Sequence, residues 1–126
     1  MADEVSLKVP ASFEYIRLAR LVASGLAAQV NFTLDDIEDL RIAVDELCSA
    51  LVEAAADRTS MLTVTFRIED HQIHMEADVP TIAANGSYVI DDISSHILRA
   101  AVDRHELEQD AERLVARMSK QCLTVN

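Results

Sequence analysis

Two different periods of apolar and polar residues run along this chain, and each change of period marks an element. A short extended run, "SLKVP" at 6–10, precedes a stretch at 11–30 where Phe13, Ile16, Leu18, Leu21, Val22, Leu26, Ala27 and Val30 recur at helical spacing. Small residues, Ala23, Ser24, Gly25, Ala27 and Ala28, allow another element to approach that helix closely. A second helix is predicted over 31–57. Thr33 followed by Asp36 makes a capping-box pattern, and acidic residues crowd the first turn, where the helix dipole favours them. Ile37, Leu40, Val44, Leu47 and Leu51 form its core stripe, while Asp35, Asp39, Glu46 and Glu53 follow a polar track beside it.

At residue 61 the period falls to two. Leu62, Val64, Phe66 and Ile68 share one face of a predicted strand, and Ile73, Met75, Ala77 and Val79 share the matching face of the next, with a hairpin turn near Asp70. Thr63, Thr65, Arg67, His74, Glu76 and Asp78 then point to the wetter face. His71 and His74, three apart, face opposite sides, which argues against a shared metal site; no metal is expected. Asn85 and Gly86 give a turn signal, and a short helix follows, started by Asp91 or Asp92, with Ile93, Ile97, Leu98, Ala101 and Val102 apolar. His96 on it reads as a surface or packing histidine. The tail at 105–123 allows two readings, a helix by propensity or strands by the alternation of Leu114, Ala116 and Met118 with Arg113, Val115 and Arg117. The order of elements predicts an α+β fold, a two-layer sandwich with helices on one face of a mixed, mostly antiparallel sheet.

Half of the 126 residues are hydrophobic and only two are Gly and two Pro, which fits a single domain over 1–126. The formal net charge of −11 repels phosphate backbones and anionic membranes, so neither nucleic acid nor membrane is an expected partner. It favours encounter with a basic protein. The start, "MADEVSLKVP", has no signal-peptide pattern and no segment approaches a membrane span, so a cytoplasmic location is expected. Cys48 and Cys122 fit no zinc or redox spacing and read as reduced thiols, Cys48 in the core. On the first helix, Glu14, Arg17 and Arg20 lie at i, i+3 and i+6 and so share one flank.

The stretch "LDDIEDLRIAVDELCSALVEAA" resembles the anti-sigma regulatory factors of the bacterial serine-kinase type, within the histidine-kinase and Hsp90-like ATPase superfamily. In that resemblance "DLRIAVDELCSALVEAA" corresponds to the N-box helix, "DHQIHMEADVP" to the strand ending in the adenine-binding segment, and "ISSHILRAAVDRHELE" to the second glycine box and the helix after it. The implied function is to sequester an RNA polymerase sigma factor and, in many members, to phosphorylate an anti-anti-sigma antagonist on serine. Glu46 stands at the position of the catalytic base, a carboxylate suited to activating a hydroxyl near a γ-phosphate. Four residues on, where the family has a Mg²⁺-holding asparagine, this chain has Ala50, which offers no ligand.

The family's adenine-binding aspartate points toward the helices, yet strand parity puts Val79 there and turns Asp78 away. In place of two glycine-rich, phosphate-cradling segments stand "VPTIAANG" and "ISSHIL", with Ser94, Ser95 and His96 as bulkier substitutes. The resemblance thus implies an ATP and Mg²⁺ pocket that is weak or absent at Glu46, Ala50, Asp78, Val79, Ser94 and Ser95. It also implies a partner surface on the first helix with Arg20 at its centre and Arg17 and Glu14 beside it, and homodimerisation through the first strand and helix. Three readings follow: an anti-sigma regulator with a degenerate nucleotide site, an active serine kinase with Glu46 as base, or a non-catalytic adaptor for another protein.

Overall fold

The computed structural model describes residues 3–57, 59–82 and 91–122. Its elements run β1 (Asp3–Pro10), α1 (Phe13–Gln29), α2 (Leu34–Ala54), β2 (Met61–Glu69), β3 (Gln72–Pro80), α3 (Asp92–Ala101), β4 (Arg104–Asp110) and β5 (Arg113–Gln121). The strands form one sheet in the order β1-β2-β3-β5-β4, with the three helices on one face. Every neighbouring pair is antiparallel, so the mixed sheet expected from the sequence is purely antiparallel in the described residues. The tail resolves as two strands, its alternation outweighing its helical propensity because β5 pairs on both sides, with β3 and β4.

α2 starts where its cap predicts: Thr33 Oγ1 accepts the Asp36 backbone N–H at 3.1 Å. It ends at Ala54, three residues short of the predicted end, as Ala55 leaves helical geometry and bridges Thr81. Leu40, Ala43, Val44, Leu47, Cys48 and Leu51 are fully buried on it. Burial pushes the Cys48 thiol up to about 12, so it stays protonated and inert. α3 is capped by Asp91, whose Oδ1 accepts the Ser94 N–H at 2.7 Å, and it stops at Ala101; the residues after it, aligned by the resemblance with a continuing helix, form β4.

α1 differs from its predicted core stripe. Ile16, Ala19, Ala23 and Ala27 are buried, whereas Phe13, Leu18 and Leu21 are exposed. The alanines recur every four residues and allow α1 to lie close on its neighbours, and that close packing rotates the large apolar side chains outward.

The hairpin follows the predicted register, with Phe66 opposite Met75 and Thr65 opposite Glu76. Its turn residues, Asp70 and His71, both have positive φ (52° and 61°), the signature of a two-residue type I′ turn that matches strand twist. Leu62, Val64, Phe66, Ile73, Met75, Ala77 and Val79 are buried under the helices. Lys120, at an inward position of β5, is buried too. Its Nζ donates to the Ala101 carbonyl at 2.7 Å and lies 3.7 Å and 3.9 Å from Asp36 and Asp39, tying the end of α3 to the start of α2. The turn expected at Asn85 and Gly86 lies outside the described residues.

This register makes a sharp prediction. Val64→Asp or Met75→Asp places an unpaired charge in the core and unfolds the protein, while Thr65→Asp on the outer face loses the Ser6–Thr65 hydroxyl contact of 2.8 Å and faces Glu76 across the strands, about 1–2 kcal/mol together. Urea titrations of the three variants check it; equal loss in all three contradicts the register.

Candidate functional site

Consecutive residues on a helix point about 100° apart, and α2 uses this to reach both flanking helices from adjacent positions. Asp45 turns toward α1, where its Oδ1 accepts from Arg20 Nη1 at 2.9 Å. Glu46 turns toward α3, where its Oε2 accepts from the Ser94 hydroxyl at 2.8 Å. Both contacts are partly buried. The candidate base is therefore bonded to a serine of its own chain, 48 residues further on, and the first turn of α3 is held against α2 at that point.

The other positions assigned to the pocket divide between two faces. Ala50 follows Glu46 by one helical turn and is half-buried, and its methyl group offers no oxygen to a cation. Val79 is fully buried on the helix side of the sheet, while Asp78 lies on the opposite face, where both Arg113 Nη2 and Arg113 Nε donate to its Oδ1, the latter at 3.0 Å. No bulge re-registers β3 here: Asp78 stands opposite Thr63 on one side and Val115 on the other, in unbroken ladders. Ser95 is half-buried and His96 exposed on α3, and "VPTIAANG" is described only as far as Ile82, which is exposed. The structure thus joins Glu46 to Ser94, keeps Ala50 one turn from Glu46 on α2, and places Asp78 on the far face of the sheet.

On α1, Glu14 and Arg17 are exposed, and Arg20 is about one-third exposed in its pair with Asp45. The Asp45 partner was not foreseen from the sequence, since Asp45 lies 25 residues away; only the i, i+3, i+6 spacing on α1 placed Arg20 on an accessible flank. Phe13 and Leu21, 57% and 66% exposed, surround these charges. Sequence reasoning also left Ser94 as a passive substitute. The signal that could have found its role was the Asp91 cap, which fixes where α3 begins and so which residues its first turn presents to α2.

Residues 9–120 match the model of the histidine kinase-like ATPase domain. The chain is similar to the serine-protein kinase RsbW of Bacillus licheniformis, 40% identical over 76 residues that cover 59% of this chain and 48% of that protein. It is also similar to the serine-protein kinase RsbW of Bacillus cereus strain G9842, 31% identical over 113 residues, 89% of this chain and 65% of that protein. The chain spans about half to two-thirds of the length of these relatives. Among solved structures, that of the RsbU and RsbW domains of a Mycobacterium tuberculosis protein superposes with a TM-score of 0.70 at 13% identity, over 94% of this chain and 32% of that one, which shows the shared fold. With the matched region running from the last residues of β1 through nearly all of β5, this chain belongs to the histidine kinase-like ATPase domain family.

Proposed function

We propose that this chain is an anti-sigma regulator that works by binding protein partners, a sigma factor and its antagonist, and that its nucleotide site has lost most of its affinity for Mg·ATP. The similarity to the RsbW kinases supports the regulatory part. One observation carries the second part: Asp78 is engaged by Arg113 on the outer face while Val79 fills its place inside. The family name implies ATP, so the fit of ATP to these residues has to be tested against their geometry. Adenine would meet Val79, which has no polar atom for its amino group. Mg²⁺ would meet the Ala50 methyl, and phosphates approaching Glu46 would meet the Ser94 hydroxyl already bonded to it. These residues do not fit the nucleotide.

α1 is the proposed partner surface. Monomeric proteins bury most large apolar side chains, and Phe13 and Leu21 standing beside Arg17 and Arg20 combine apolar anchors with a guanidinium fork able to grip a carboxylate. The same helix and β1 are where a homodimer would form. A cytoplasmic location belongs to this reading, and among the described residues no helix is long and apolar enough to cross a membrane. The kinase reading retains one specific support, the partly buried Glu46 carboxylate on the flank of α2.

Two experiments test the proposal. Isothermal titration with Mg·ATP is expected to give a dissociation constant no tighter than about 100 μM, because each unmade hydrogen bond to a bound polar group costs about 1–3 kcal/mol. Low-micromolar binding, together with phosphate transfer to a co-encoded antagonist that Glu46→Gln abolishes, would establish the kinase instead. Arg20→Ala is expected to weaken binding to a co-purified sigma factor by about 2 kcal/mol, roughly 30-fold. Its melting point should change little, since a partly solvent-screened pair such as Arg20–Asp45 contributes about 1 kcal/mol or less. Asp45→Asn, which frees Arg20 from its internal partner, should leave partner affinity equal or higher. Unchanged affinity in Arg20→Ala removes this residue from the interface.

A further inference from the structure

α3 is fastened unequally at its two ends. Beyond its C-terminus the chain is tied to β5 by three hydrogen bonds. Lys120 Nζ donates to the Ala101 carbonyl at 2.7 Å, the Asp103 backbone N–H donates to the Ser119 carbonyl at 3.1 Å, and Asp103 Oδ2 accepts the Gln121 backbone N–H at 2.7 Å. Lys120 also stands beside Asp36 and Asp39, so this end is secured to the start of α2 as well. At the other end, the first two turns of α3 make a single hydrogen bond to another element among the described residues, from the Ser94 hydroxyl to Glu46 Oε2 at 2.8 Å. The Asp91 cap closes the helix on itself and ties it to nothing else.

Burial follows the same gradient. The inner stripe of α3, packed chiefly on α2, carries Ser94, Leu98 and Ala101 at i, i+4 and i+7. Of the ten residues only Leu98 and Ala101 are buried, both in the second half, whereas α2 buries six. In the first half Ile93 is 74% exposed, and Ser94 and Ser95 are half-buried. Hydrophobic burial therefore holds the C-terminal half, and a hydroxyl–carboxylate bond holds the N-terminal half. Val102, where the chain leaves helical geometry (φ −134°, ψ 163°), is the pivot between the weakly held helix and the firmly held strand. Few buried apolar side chains and solvent-accessible polar ties are the marks of a segment that opens locally, below the cost of global unfolding.

We propose that the Ser94–Glu46 bond is an intramolecular latch: α3 opens and closes as a unit about Val102, and when it is closed Ser94 occupies the Glu46 carboxylate and withholds it from any hydrogen-bond donor arriving from outside. A hydroxyl donating to a carboxylate is a charge-assisted bond, strong enough to bias such an equilibrium. It is also a single bond and only partly buried, so both groups find water at small cost when the helix swings out. Asp91 supports the latch indirectly. By accepting the Ser94 backbone N–H at 2.7 Å it keeps the first turn helical, and so holds the hydroxyl in the direction that meets Glu46. Opening frees Glu46 and uncovers the core surface beneath Leu98. The latch involves Glu46 and α3 alone and does not depend on which partner or nucleotide the chain binds.

The test is hydrogen–deuterium exchange of the full chain, read by mass spectrometry on peptides from α3, α2 and β5, with neither partner nor nucleotide present. Alanine has a higher helix propensity than serine, so without a latch Ser94→Ala and Ser95→Ala should both slow exchange in α3 or leave it unchanged. The latch separates the two variants. Ser94→Ala is expected to speed exchange over 95–101 about tenfold, as loss of a hydrogen bond to a carboxylate implies, with α2 and β5 unaffected. Ser95→Ala should not speed it, and Ser94→Thr, which keeps the hydroxyl, should stay near the wild-type rate. Carbodiimide labelling of carboxylates with glycine ethyl ester gives a second readout: Glu46 should be modified severalfold faster in Ser94→Ala, with the exposed Glu14 on α1 as an unchanged reference. Unchanged or slower α3 exchange in Ser94→Ala overturns the proposal. Acceleration shared equally by α2 and β5 also overturns it, because that reports a loss of global stability, and so does labelling of Glu46 at the same rate in both proteins.

Discussion

The burial of α2 on the sheet is the constraint from which the rest of this structure follows. Its six fully buried residues lie along one stripe against β3 and β5, and both other helices pack chiefly on α2. Each large side chain so buried contributes about 1.5–3 kcal/mol, which makes rotation of the helix about its axis prohibitively unfavourable. With the stripe fixed, the flanks are fixed. Asp45 can reach only α1 and Glu46 only α3, and the two polar contacts at 2.9 Å and 2.8 Å record that geometry. Cys48, three residues on from Asp45, is fully buried in the stripe.

The sheet imposes the second constraint, parity. Four unbroken antiparallel ladders leave no position at which β3 could slip by one residue without turning Ile73, Met75, Ala77 and Val79 to water. The side of the sheet on which Asp78 emerges is therefore decided by the hydrophobicity of its neighbours, far more strongly than by any single polar contact. Arg113 then meets Asp78 on the outer face and stabilises an orientation already chosen. The same parity collects Arg67, His74, Ser119 and Arg104 into one row, so the apolar inner face at Val79 and the charged outer face are two consequences of one register.

Much of this was legible in the sequence wherever a single period was clean. The α2 stripe, its Thr33 cap, the hairpin and the separation of Asp78 from Val79 all follow from counting residues, because burial on one face leaves an unambiguous trace. The failures have physical causes. On α1 the hydrophobic pattern named Phe13, Leu18 and Leu21 as core, yet the core face is built of Ala19, Ala23 and Ala27; close helix packing selects small volume, which hydrophobicity does not report. β4 is an edge strand of charged residues with alternating exposure, so its stretch stayed open between helix and strand in the sequence. Lys120 sits at an inward position that a sequence reader assigns to an apolar residue, and only the Ala101 carbonyl together with Asp36 and Asp39 makes its burial tolerable. The Glu46–Ser94 and Arg20–Asp45 bonds join residues 48 and 25 positions apart, and no local pattern encodes such pairs.

Two surfaces with unpartnered side chains among the described residues lie on opposite sides of the molecule. α1 exposes Phe13 and Leu21 in the helix layer, while Arg67 and Arg104, exposed and in no ion pair among the described residues, line the far face of the sheet. Any coupling between them would have to pass through the sheet, where β1 packs on α1 and carries Glu4 on the outer face. A coupling free energy needs an element with two arrangements that both sites bias. β1 is an edge strand held by β2 on one side only, and it is the element of this fold that could shift at the least cost in lost pairing. The central strands, paired on both sides and buried on one face, offer no such freedom.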